Sequence, residues 1–149
     1  TLHHKKNHFS KIQIKEFSLL FIMLNYLDIA SKKIEDISTI KFLSEKNESL
    51  KKTIITLLLE KNDKDTIQSK ISSNYKKLIE EINENSSIQI ILKAKNSEAI
   101  LELLNDLLAE LKELNSLKKI ESLEKELINN LDENSYSELI KLKNELNRD

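Results

Sequence analysis

Apolar residues recur at three- and four-residue spacing along most of the chain, which is the spacing of a helix face. The run Ile12-Gln-Ile-Lys-Glu-Phe-Ser-Leu-Leu-Phe-Ile-Met-Leu-Asn25 is apolar around most of its circumference, which predicts a helix buried at the centre of a bundle. A second short helix is expected from Asp28, as N-cap, to about Ile37, with Ile29, Lys33 and Ile37 four apart and Ile34 on the inner face. Ser44 or Asn47 can cap a third helix reaching Glu60, with Leu50, Ile54, Leu57 and Leu58 inward. Asp65 and Gln68 have the spacing of a capping box for a fourth. The stripe Ile67, Ile71, Tyr75, Leu78, Ile82 carries that pattern to about Glu84, with Ser72-Ser73-Asn74 as a break point. The stretch Ser87–Lys93 is β-branched and partly alternating. A lone strand has no partner in this sequence, so an extended connector is expected over residues 85–96.

From Ser97 to about Asn130 the pattern is that of one long helix. Ile100, Leu104, Leu107, Leu111 and Leu114 follow a heptad seam. Leu111, Leu114, Leu117, Ile120 and Leu123 are then three apart, which moves the stripe about 120° around the helix. Leu127 and Leu131 resume a spacing of four. The carboxyl half therefore faces a different neighbour: a final helix after the polar turn Leu131–Ser135, carrying Tyr136, Leu139, Leu142 and Leu146 on one stripe. The expected organisation is a poorly ordered basic lead-in at 1–11, a helical bundle at 12–115, and an antiparallel helical hairpin at 116–149 that projects from it.

Composition sharpens the all-α reading. The 149 residues include no Gly, Pro, Cys or Trp, while Leu and Ile supply 46 positions. Without Gly no phosphate-cradling loop, dinucleotide fingerprint or nucleophile elbow can be built. Without Cys there is no disulfide and no thiolate metal site. The net charge of −1 argues against strong general affinity for nucleic acid or anionic membranes. No apolar stretch approaches the ~20 residues of a membrane span. Thr1 at the start suggests a piece of a longer chain.

Candidate chemistry is sparse. His4 and His8 are four apart and can chelate a metal on a helix face, but with only His3 nearby a solvated tail is the expected reading. Glu98, Glu102, Asp106 and Glu110 form an acidic row, expected as a solvated face, with docking of a basic partner as the functional alternative. No nucleophile–base–orienter set can be assembled, so no catalytic, cofactor-binding or metal residue is assigned. The lysine pairs at 32–33, 51–52, 76–77 and 118–119 are interleaved with acids and lack aromatic platforms, so no specific nucleic-acid binding is expected. A two-helix hairpin has too little interior for all its apolar residues, and exposed apolar patches mark partner sites. The candidate partner surface is Tyr136, Leu139, Leu142 and Leu146, rimmed by Lys143, Asn144 and Arg148, the one Arg of the chain.

Three segments together resemble the carboxyl-terminal helicase-binding domain of bacterial DNA primase. Lys15-Glu-Phe-Ser-Leu-Leu-Phe-Ile-Met-Leu-Asn25 is similar to that family's opening helix, Glu48-Ser-Leu-Lys-Lys-Thr-Ile-Ile-Thr-Leu-Leu58 to the next, and Asn134-Ser-Tyr-Ser-Glu-Leu-Ile-Lys-Leu-Lys-Asn-Glu-Leu146 to the last. The likeness covers about 130 residues. Leu27 stands where the family usually has Pro, and Leu replaces a Trp often found in the long helix. The resemblance implies a non-catalytic module that ties a primase to the amino-terminal domain of a hexameric DnaB-type replicative helicase, in the bacterial cytoplasm at the replication fork. It implies helicase contact through the last helix, with zinc-binding and nucleotidyl-transfer domains upstream. The alternatives are the amino-terminal domain of a replicative helicase, and a coiled-coil scaffold or adaptor.

Overall fold

The computed structural model describes residues 10–86, 93, 96–129 and 133–147, and the regular structure among them is α-helical throughout, with no strand. In chain order the helices are α1 (Lys11–Asn25), α2 (Leu27–Lys32), α3 (Ile34–Thr39), α4 (Glu45–Leu59), α5 (Lys64–Ser72), α6 (Lys76–Asn85), α7 (Ser97–Asn129) and α8 (Glu133–Leu146). The chain divides into two compact units, Thr1–Leu108 and Ala109–Asp149. The lead-in expected at 1–11 falls outside the described residues up to position 9, as do residues 87–92, 94 and 95 of the expected connector.

In the first unit α1 begins at a capping box, with the Gln13 amide N–H donating to Ser10 Oγ and the Ser10 N–H donating to Gln13 Oε1, both at 3.1 Å. Every residue from Glu16 to Leu24 is buried. A helix buried on all sides must be surrounded, and α1 contacts α2, α4 and α6. The core around it includes Leu19, Leu20, Ile22, Met23, Leu50, Ile54, Ile67, Ile71 and Ile82.

Helix ends correct two expectations. The stretch after α1 is two helices broken at Lys33, and Asp28 is not the N-cap. Tyr26 holds that position without a side-chain cap, and Asp28 lies in the first turn, where its charge meets the free amides. Ser44, as expected, caps α4 by accepting from Asn47 N–H at 3.3 Å. At the far end of α4 the chain turns through Lys61 at φ 61°. There Lys61 N–H donates to the Leu58 carbonyl at 3.0 Å and Asn62 N–H to that of Leu57 at 3.2 Å. This turn usually employs glycine, and a chain without glycine places Lys in the left-handed region instead. It delivers Asp63 directly in an extended conformation, so Asp63 and not Asp65 caps α5, accepting from Thr66 N–H at 2.8 Å. The break between α5 and α6 falls at Ser73–Tyr75, next to the Ser72-Ser73-Asn74 cluster.

Asn96 caps α7 by accepting from Ala99 N–H at 2.8 Å. Of the expected seam, Ile100, Leu104 and Leu111 are buried, Leu107 and Leu114 are half-buried, and Leu108 is buried as well. A straight helix follows a 3.6-residue repeat and drifts off a strict heptad, which brings Leu108 inward. The run of three-residue spacings is interrupted at Leu117, which is 47% exposed.

The second unit is the carboxyl part of α7 packed against α8 as a hairpin. Ile120, Leu123 and Leu139 form its buried cluster, with Leu127, Leu142 and Leu146 packed against it. Glu133, Asn134 and Ser135, expected in a turn, already belong to α8. Leu131 lies outside the described residues.

Candidate functional site

On α8 the expected docking stripe separates into two sets. Leu139 is buried, and Leu142 and Leu146 pack beside it against the cluster with Ile120 and Leu123. Leu139 is thus enclosed in the hairpin, while Leu142 and Leu146 are partly buried beside it. Tyr136 is 57% exposed, and Lys143 and Asn144 are exposed. Arg148 lies outside the described residues.

The hairpin has two flanks, each marked by an ion pair between the helices. At about 100° per residue, Glu124 lies about 40° from Ile120 on α7, and Lys143 lies about 40° from Leu139 on α8 in the same sense. These two side chains meet at 3.2 Å. Lys119 and Glu138 are each displaced about 100° in the opposite sense, and they meet at 2.7 Å on the other flank. The Glu138 carboxylate raises the Lys119 pKa above its ordinary value. On the Glu124–Lys143 flank the same rotation places Leu117 and Ile128 of α7, at about 60° and 80°, beside Tyr136 and Ile140 of α8, at about 60° and 100°. All four are exposed, Ile128 most of all at 83%. Among the described residues, the large apolar side chains left exposed are these four together with Leu43 and Leu59.

The first unit concentrates polar groups instead. Glu16 is buried in α1, and its carboxylate accepts from Leu43 N–H at 2.7 Å and from Asn47 Nδ2 at 2.9 Å. Burial pushes its pKa up from the usual 4.5, against the hydrogen bonds from Asn47, Leu43 and Ser44, and the Glu48 charge adds to the rise. Lys51 is equally buried. Its ammonium donates to the Ile40 carbonyl, pairs with Glu48 at 2.8 Å and lies 4.9 Å from the centre of the Phe42 ring. Glu16, Asn47, Lys51 and Glu48 thus fasten the segment 40–44 to α1 and α4. These contacts hold the segment 40–44 as a clamp within the first unit.

A cleft of about 390 Å³ lies between α4 and α6, lined by Glu45, Lys46, Ser49, Tyr75, Lys77 and Glu81 among others. Tyr75 Oη lies 2.8 Å from Ser49 Oγ and 3.0 Å from Thr53 Oγ1, and Thr53 donates to the Ser49 carbonyl at 2.9 Å. These hydroxyls are thereby hydrogen-bonded to neighbouring oxygens. The acidic row Glu98, Glu102, Asp106 and Glu110 is exposed along α7. Among the described residues no group of three or more His, Cys, Asp or Glu is placed to hold a metal ion, and His4 and His8 lie outside them. No helix among them is long and apolar enough to cross a membrane.

Sequence reasoning did not single out Ile128, Ile140, Glu16 or Lys51. For Lys51 a signal existed: Asn47, Lys51 and Ile54 follow a 4-3 spacing on the face that carries Leu50. For Ile140 and Ile128 the signal was their displacement from the hairpin stripe. No family model, curated protein or solved structure matches this chain.

Proposed function

We propose that this chain is a non-catalytic protein-interaction domain of a bacterial DNA primase, which binds the amino-terminal domain of the DnaB-type replicative helicase and so couples primer synthesis to fork movement. The observation that carries an interaction role is the hairpin's exposed apolar side chains, Leu117, Ile128, Tyr136 and Ile140, gathered in a unit of 41 residues. Water-exposed hydrocarbon gathered on one element is the mark of a partner surface. The primase assignment is supported by the likeness of the three segments at 15–25, 48–58 and 134–146 to that family. In this reading the chemistry is helix packing with a polar rim, to which Lys143 and Asn144 belong, and the bundle serves as the platform.

The test is titration calorimetry of the full chain against the isolated amino-terminal domain of the replicative helicase from the same organism. Saturable binding is expected, and removal of residues 134–149 abolishes it while circular dichroism shows the first unit still helical. Binding unaffected by that deletion removes the hairpin from the interface. Absence of binding by the intact chain overturns the reading.

A further inference from the structure

Where α1 and α4 both end, the first unit carries another cleft, of about 520 Å³. Asn25 and Tyr26 line it from the end of α1, Asp28 and Ser31 from α2, and Asn62 and Asp63 from the turn between α4 and α5. Neither α1 nor α4 has a basic residue in its last turn. The negative ends of two helix dipoles therefore lie at the cleft without a cation from their own last turns.

The polar side chains around it are anchored through their donors. Asn25 Nδ2 donates to the Phe21 carbonyl at 2.9 Å, and Asn62 Nδ2 to the Leu57 carbonyl at 3.0 Å. Ser31 Oγ donates its single proton to the Asp28 carbonyl at 2.8 Å. Anchoring the nitrogen fixes each carboxamide and leaves Oδ1 as its acceptor, while the anchored Ser31 hydroxyl offers only lone pairs. The Asp28 and Asp63 carboxylates add further acceptors. The cleft is thus lined with oxygens that seek a donor.

The lining also narrows what kind of donor fits. Lys61 and Lys64 offset the two carboxylates, so the cleft has no net charge with which to concentrate small inorganic ions. Amide and hydroxyl oxygens are poor rivals for the water shell of Mg²⁺, which dehydrates reluctantly. An anion would meet only the two exposed lysine side chains. Leu58 and Tyr26, both half-buried, supply apolar wall beside the oxygens. Hydrocarbon next to fixed acceptors suits an alkylammonium, whose methylenes take the wall and whose N–H groups take the oxygens.

We propose that this cleft binds an aliphatic polyamine, with ammonium groups donating to Asn25 Oδ1, Asn62 Oδ1, Ser31 Oγ and the Asp28 carboxylate, and with methylenes against Leu58 and Tyr26. The turn through Lys61 at φ 61° is what places Asn62 and Asp63 on the cleft. The site lies wholly within the first unit and does not depend on the helicase reading.

The test is a titration of the ¹⁵N-labelled full chain with putrescine, followed by amide NMR, with Mg²⁺ as a probe of equal charge. Saturable shifts are expected at residues 25–31 and 58–64, and the same concentration of Mg²⁺ should not reproduce them. Asp28→Asn should weaken binding at least about fivefold and Ser31→Ala at least about threefold, since each removes one acceptor. Both positions are exposed, and spectra unchanged away from the cleft show that the fold is kept. Glu102→Gln, in the acidic row of α7, should change binding less than about twofold. Shifts confined to residues 98–110 mean general attraction to that row and overturn the proposal. Shifts that Mg²⁺ reproduces at the cleft overturn it as well, because charge alone then suffices. So do parent-like binding by both cleft variants and the absence of saturation by about 10 mM putrescine.

Discussion

Residues 10–108 bury Glu16, Asn47 and Lys51 to about 1% exposure, whereas the hairpin beyond them leaves Leu117, Ile128, Tyr136 and Ile140 in water. Each region departs from the simple partition of apolar inside and charged outside, and in opposite directions. The first unit has a surrounded central helix and enough interior to enclose two ionisable side chains, Lys51 paired with Glu48 and Glu16 held by hydrogen bonds from Leu43 and Asn47. The hairpin has one seam between two helices, so any apolar residue rotated off that seam stays exposed. Buried charge thus marks where the chain is fastened to itself, and exposed hydrocarbon marks where it is available to something else.

The largest effect should come from breaking the clamp. Lys51→Ala removes the ammonium from the Ile40 carbonyl and from Glu48, and should cost about 3–5 kcal/mol in urea denaturation. Lys51→Met keeps an apolar stem in the buried site and should recover at least about 1 kcal/mol of that loss. Equal stability of both variants with the parent means that the clamp contributes nothing.

Next is the hairpin's own core. Leu139→Ala leaves a cavity beside Ile120 and Leu123 and should cost about 2–4 kcal/mol. The informative readout is residue-resolved hydrogen exchange. Protection of α8 amides should fall while that of α1 amides is unchanged, since the two helices belong to different compact units. An equal fall in α1 means that the units open as one.

These two regions also show what could be read from the chain. The central burial of α1, the Ser44 cap and the break after Ser72 were legible, because periodicity and local capping carry them. Glu16 was not, and Lys51 only as a position on the inner face of α4, because a charged side chain reads as solvated unless its partners, here Leu43 and Ile40 backbone groups, are known. Leu139, Leu142 and Leu146 form a clean stripe in sequence, yet a stripe does not say what covers it. The packing of α8 on Ile120, Leu123 and Leu127 gives that stripe to the hairpin and leaves its neighbours exposed.

A smaller effect tests Glu16. Glu16→Leu strands the Leu43 N–H and the Asn47 amide and should cost about 1–3 kcal/mol. Glu16→Gln should be within about 1 kcal/mol of the parent, because Asn47 Oδ1 has no partner and can accept from the new amide after a side-chain flip. The pH dependence carries the sign. A raised carboxyl pKa means that the folded state binds the proton more tightly than the unfolded one. Glu16 therefore makes the fold more stable as pH falls from the raised value toward 4.5. Asp63 acts the other way: its pKa is lowered by Thr66, so its contribution is present above the ordinary 3.8 and lost as pH falls through the lowered value. Denaturation midpoints between pH 7 and 4.5 should rise less in Glu16→Gln than in the parent, and identical profiles would show that Glu16 does not titrate there.

The smallest effect is the sharpest test of the hairpin's exposed flank. Ile128 is 83% exposed, so truncation to Ala removes almost no buried area. Ala is also the better helix former by a few tenths of a kcal/mol. Ile128→Ala should thus be neutral to slightly stabilising, and Tyr136→Ala should stay within about 0.5 kcal/mol of the parent, as for surface positions generally. Scanning calorimetry of the isolated chain measures both. A loss above about 1 kcal/mol at either position means that the side chain is covered in solution, and the flank is then part of the fold and not free for a partner. Unchanged stability leaves both side chains without a folding role, which keeps the flank free for the partner proposed above.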